Sequence, residues 1–125
     1  MEIKTAVTRL AALAQDSRLA VFRHLVQLGP VGARPGAIAE SLAVSPSTLS
    51  FHLKALAHAG LVQAWPDGRS IVYRADFAAM QELLDFLTEN CCGGVPAACA
   101  ITAPEARRPL RRTAPPSSSR RRQRE

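Results

Sequence analysis

The sequence has no run of about 18 apolar residues, the minimum for a membrane-spanning helix. Nor does it open on a basic start followed by an apolar stretch, as a secretion signal would; Met1-Glu-Ile-Lys leads straight into an amphipathic pattern. The expectation is a cytoplasmic protein with no membrane partner. Cysteine is scarce, with three residues in 125. An odd count argues against a disulfide scaffold and for thiols kept in a reducing compartment. Cys-x-x-Cys is absent, and no base stands next to the thiols, so a thiol–disulfide exchange enzyme is disfavoured and no catalytic residue is expected. Net charge is absent from most of the chain. Residues 1–104 carry eight basic and eight acidic side chains, and residues 105–125 hold the whole excess of +6. Any affinity of the main body for a polyanion must therefore come from local placement of cations, not from a global field. The length suits one small domain. A folded part of roughly 90 residues buries limited surface, and oligomerisation is a usual supplement at that size.

What is present begins with residues 45–60. Leu49, Leu53 and Leu56 recur at i, i+4 and i+7 and form one apolar stripe of a helix. Ser45 or Ser47 can cap it, Pro46 suits its first turn, and Gly60 stops it. The opposite face is expected to carry Ser47, Thr48, Ser50, His52 and Lys54. Short hydrogen-bonding side chains near a helix N-terminus reach base edges, and a cation beside them holds phosphate. The competing account is a solvated polar face on an ordinary helix. Phe51 has two readings, contact with a thymine methyl group or folding back onto the core.

The segment that follows favours the first account. Residues 61–74 read as two short strands around Asp67-Gly68, a hairpin turn signal. Leu61, Ile71 and Tyr73 fit the inward positions of a half-buried ribbon, and Arg69 falls at its tip. Trp65 and Tyr73 fit packing within the ribbon better than base stacking. A helix followed by a hairpin with a basic tip is a winged helix-turn-helix: mostly α, with a β-hairpin wing.

Ser50-x-His52-Leu53-Lys54-x-Leu56, then Ala59-Gly60-Leu61-Val62, Gly68-Arg69 and Tyr73-Arg74 resemble the ArsR/SmtB family of bacterial metal-sensing repressors. The upstream Leu13-Ala-x-Asp16-x-Arg18-Leu19 resembles the opening of that family. The resemblance spans residues 6–90. It implies DNA contacts from Ser45, Ser47, Thr48, Ser50, His52 and Lys54 on the recognition helix and from Arg69 on the wing, with packing at the groove edge as the other reading of His52. It also implies a homodimer formed through the first and last helices.

Elsewhere, Ile3, Val7, Leu10 and Leu13 mark a first helix. Asp16 is expected to cap a second, with Leu19, Phe22 and Val26 inward and Gly29-Pro30 ending it. Residues 35–42 form a short helix with Ile38 and Leu42 inward. Asp76 caps a last helix, residues 77–90, whose apolar breadth (Phe77, Met80, Leu83, Leu84, Phe86, Leu87) exceeds what one small core needs and reads as dimer surface. The domain is expected to span residues 1–102. Residues 103–125, rich in Arg, Pro and Ser, cannot bury a core and are expected to be a disordered tail.

All three cysteines fall in one short segment, Cys91, Cys92 and Cys99, separated by Gly93-Gly94 and Pro96. A glycine pair allows a sharp reversal that brings Cys99 back to the adjacent pair. Three sulfurs suit a soft ion that takes three ligands, such as trivalent arsenic or antimony. Zinc prefers four, and Glu89 and Asn90 are poor candidates for the fourth. A Cys92–Cys99 disulfide, or incidental thiols, is the alternative. Within the family, arsenic sensors often carry a cysteine pair near the helix before the recognition helix, and zinc sensors a set with His on the last helix. Residues 31–38 here have no cysteine, and residues 77–90 have no His. The adjacent pair plus a later cysteine resembles a third, arsenite-responsive arrangement.

Together these readings predict a dimeric repressor on an inverted-repeat operator, with half-sites about 34 Å apart. Arsenic(III) on Cys91, Cys92 and Cys99 would release it. The inducer could equally be antimonite or a methylated arsenical. A thiol-redox repressor using the same cysteines, and a constitutive architectural DNA-binding protein using the Arg tail, are the other readings.

Overall fold

The computed structural model describes residues 1–95 and 97. They fall into two units, Met1–Leu87 and a second that starts at Thr88. The first contains helices α1 (Ile3–Leu13), α2 (Asp16–Leu28), α3 (Pro35–Leu42) and α4 (Pro46–His58), strands β1 (Val62–Asp67) and β2 (Ser70–Ala75), and helix α5 (Phe77–Leu87). A 3-10 turn, Gly29–Val31, joins α2 to α3, and another, Cys91–Gly94, lies in the second unit. Cys99 and residues 103–125 lie outside the described residues.

The core follows from the helical stripes. Val21, Phe22 and Leu25 of α2, Ile38 of α3, and Leu49, Leu53 and Leu56 of α4 meet Leu61, Val62 and Ala75 at the base of the hairpin. Full burial of one such side chain contributes about 1.5–3 kcal/mol, so these residues fix α4 firmly against α2 and α3. Pro35 opens α3, with Arg34 extended before it, and Ala43 closes it in a left-handed conformation at φ 53°. Only Val44 and Ser45 then separate that turn from α4, which sets the helix-turn-helix.

The hairpin is antiparallel, with Val62 opposite Ala75 and Asp67 opposite Ser70. Its turn residues are therefore Gly68-Arg69, one position beyond the expected Asp67-Gly68, and Gly68 takes φ 67°. Ala33 pairs with Tyr73 in a single antiparallel bridge: its N–H donates to the Tyr73 carbonyl, and the Tyr73 N–H donates to the Ala33 carbonyl, each at 2.9 Å. Gly32 makes this approach possible. A Cβ at Gly32 would lie 2.3 Å from the Tyr73 carbonyl oxygen, and its φ of 66° is left-handed. At the other end of the unit, α1 and α5 are joined by Arg9. It donates to the Ala79 carbonyl at 2.9 Å and pairs with Glu82 at 3.1 Å.

Several local expectations change. Gln15, not Asp16, caps α2, its side chain accepting from the Arg18 N–H at 2.8 Å. Leu19 is exposed, since Val21, Phe22 and Leu25 already fill the inward arc of that helix. On β2 Tyr73 and Ala75 pack against the core, in the expected phase, whereas Ile71 is exposed and Val72 is buried outside that cluster. Helix α5 ends at Leu87 and not at residue 90. Its start agrees with expectation, as Asp76 Oδ1 accepts from the Ala79 N–H at 3.0 Å.

Candidate functional site

Helix α4 presents two unlike faces. Leu49, His52, Leu53 and Leu56 are buried, while Ser47, Thr48, Ser50, Phe51 and Lys54 are exposed. Ser45 is the cap. Its hydroxyl accepts from the Thr48 N–H at 3.3 Å and donates to the Thr48 hydroxyl at 2.9 Å. Ser47, Ser50 and Lys54 are thus the outward polar groups with no such task among the hydrogen bonds of the helix start.

His52 does not lie on the exposed face where the sequence reading put it. Only 5% of its surface is accessible. The reason is geometric: position 52 falls at i+3 from Leu49 and i−4 from Leu56, within the inward stripe. Its Nδ1 accepts from Arg18 Nε at 3.4 Å, and its Nε2 is buried without a partner. Burial, and then the charge of Arg18, hold the imidazole pKa below its ordinary value, so the ring is neutral. His52 therefore helps to seat α4, with Arg18 as its partner.

Arg18 reaches three things at once. Besides His52, its guanidinium donates to the Ala12 carbonyl at 3.3 Å and lies 5.7 Å from the centre of the Phe51 ring. It links the end of α1, the start of α2 and the middle of α4. The sequence reading noted Arg18 only for its family resemblance. Its one local signal was a cation placed one residue before an apolar helix stripe, which is too common to single it out.

The wing carries Arg69 exposed at its tip. Asp67, just before the turn, pairs with Arg34 from the residue that precedes α3. Arg74 lies over the Trp65 ring at 4.4 Å and donates to the Gln63 side chain at 3.0 Å. Gln63 in turn donates to Asp76 at 3.3 Å. Trp65 is thus engaged within the wing.

In the second unit, Asn90 and Cys92 adopt left-handed φ values of 56° and 58°, as do Gly93 and Gly94. Cys91 is half-buried and Cys92 exposed. Among the described residues, no three His, Cys, Asp or Glu side chains converge as metal ligands. The structure thus places two of the three expected thiols, adjacent in the chain.

A family model described as a helix-turn-helix domain matches residues 13–63. An ArsR-like transcriptional regulator from Rhodococcus sp. RHA1 is 30% identical. The match covers 67% of this chain and 76% of that one, with a TM-score of 0.61. The chain belongs to the ArsR family. This ArsR-family chain is also similar to HlyU from Vibrio cholerae, with 32% identity over 70% of this chain and 97% of that one and a TM-score of 0.55. A third relative is the homodimeric winged helix-turn-helix DNA-binding domain of a possible ArsR-family regulator from Mycobacterium bovis. It is 26% identical over 74% of this chain and 86% of that one, at a TM-score of 0.56. No curated protein matches the chain. The protein is accordingly a DNA-binding transcriptional regulator, not an enzyme. No helix among the described residues is long and apolar enough to cross a membrane.

Proposed function

We propose that this regulator is a homodimeric repressor that leaves an inverted-repeat operator when trivalent arsenic binds Cys91, Cys92 and Cys99. The carrying observation is the pair of adjacent thiols on a left-handed turn just after α5. In a regular helix, neighbouring side chains diverge by about 100°. Left-handed backbone at Asn90, Cys92 and Gly93 abandons that stagger, which suits two sulfurs that must serve one centre. Thiolates favour a soft trivalent ion, and a third sulfur, after six intervening residues, would complete a three-coordinate set. Antimonite shares this chemistry, and a methylated arsenical needs only two of the thiols.

Ser47, Thr48, Ser50 and Lys54 would contact DNA from α4, and Arg69 from the wing. Dimerisation is assigned to α1 and α5. Residues 103–125 would add sequence-independent attraction to phosphate. Release requires that the ligand bind the DNA-free form better. A coupling of roughly 1–3 kcal/mol lowers operator affinity by about 5–150-fold.

The test is operator binding by fluorescence anisotropy, with and without arsenite, in reducing buffer. Cys91→Ser, Cys92→Ser and Cys99→Ser should each bind DNA as the wild type does and lose or blunt release. Normal release in all three variants would show that the effector site is elsewhere. Release by an oxidant but not by arsenite would replace coordination with thiol oxidation.

A further inference from the structure

The outward line of α4 has an apolar centre. Ser47, Phe51, Lys54 and His58 recur at i, i+4, i+7 and i+11, and all four are exposed. They run opposite Leu49, Leu53 and Leu56, which are buried. Phe51 is the middle of that line, with 64% of its surface accessible. A lone exposed aromatic is ordinary on a protein surface. This one is not an ordinary case, because its ring is held. The Arg18 guanidinium lies 5.7 Å from its centre, and the His52 ring is 6.0 Å away at 57°. Arg18 is itself fixed by its bonds to Ala12 and His52. A supported apolar side chain thus stands where a groove-entering helix meets the bases, flanked by Ser47 and Ser50 on neighbouring positions and followed by Lys54.

A phenyl ring offers base edges no hydrogen bond. In the major groove, the one apolar feature that differs between bases is the C5-methyl group of thymine. We infer that Phe51 is a specificity-determining residue that reads thymine methyl groups in the operator half-site. Ser47 and Ser50 read hydrogen-bonding edges beside it, and Lys54 holds phosphate. Arg18 is a positioning residue that keeps the ring outward. The inference rests on the DNA-binding role and is independent of which effector the thiols take.

The probe is a duplex enriched by the wild-type protein from a random-sequence pool. Each dT of a half-site is replaced in turn by dU, which lacks only the methyl group. At one or two positions the wild type should lose about fourfold in affinity, the value of one buried methyl-sized group. Phe51→Ala should bind the dT and dU duplexes equally, and Phe51→Leu should keep part of the preference. An equal dU loss in Phe51→Ala, or no dU loss anywhere for the wild type, overturns the inference alone. Failure of any duplex to enrich removes the DNA-reading role and this inference with it. A change in sedimenting mass for Phe51→Ala would assign the ring to a protein interface and overturn it as well.

Discussion

The outward face of α4 and those of α1 and α5 differ in kind. On α4 the exposed residues include hydroxyls, a lysine and a histidine around one phenyl ring. On α1 they include Ile3, Val7 and Leu10, and on α5 Leu84 and Leu87, all exposed. Rows of exposed apolar side chains on packed helices mark a protein partner, whereas short donors and acceptors mark base edges. One small unit thus shows two surfaces whose chemistry sorts their occupants. The similar Mycobacterium bovis domain is a homodimer, and the dimer proposed here would cover these apolar rows.

The sharpest way to break this contrast is to charge the apolar rows. Val7→Glu together with Leu84→Glu should convert the dimer to monomer. An unpaired carboxylate in an apolar interface costs several kcal/mol, so association should weaken by about 100-fold or more. Sedimentation velocity reads the outcome, and an unchanged dimer would move the interface off these helices. Specific DNA binding should fall with it, since one half-site alone remains.

Changes on α4 should be smaller and leave the dimer intact. Ser47→Ala should weaken specific binding by roughly tenfold, within the 1–3 kcal/mol worth of a good base contact. Lys54→Ala should act equally on all sequences and lower the salt slope by about one unit. A reversed pattern, with Lys54 sequence-selective and Ser47 not, would exchange their roles.

His52 gives the mildest effect, visible only as a function of pH. Its folded-state pKa lies below its unfolded value because burial and Arg18 oppose the charged ring. Its neutral form therefore supports the fold fully above about pH 6.5, and stability is lost as pH falls below that and through the lowered folded value. Urea melts at several pH values should show this slope in the wild type. His52→Gln should flatten it. A slope that survives the substitution would come from another group.

Much of this was legible from residue spacing. The bounds of α3, the Asp76 cap, the buried stripe of α4 and the hairpin all follow from periodicity and turn chemistry. What failed did so where type and position disagree. His52 is polar by type but sits at a core position, and only the angular count from Leu49 and Leu56 assigns it inward. Ile71 shares its phase with Tyr73 but pairs with Pro66 one step from the hairpin turn, beyond the core, and stays exposed. Phe51 was ambiguous for a different reason: its direction depends on Arg18, 33 positions earlier in the chain. Of the thiol segment, the sequence shows the clustered cysteines, and the structure adds the left-handed backbone at Asn90 and Cys92.

Gly32 has a consequence beyond its own conformation. By letting Ala33 pair with Tyr73, it anchors the wing to the connector between α2 and α3, and Arg34 pins Asp67 near the tip. The recognition helix is packed onto those same helices. The two elements proposed to face DNA are therefore the jaws of one caliper whose opening is set inside the protein. A caliper measures as well as grips. A duplex whose grooves do not match its span must be bent or twisted to fit, and the ease of that deformation varies with base sequence. Bases lying between the jaws, touched by neither, would thereby enter the choice of operator.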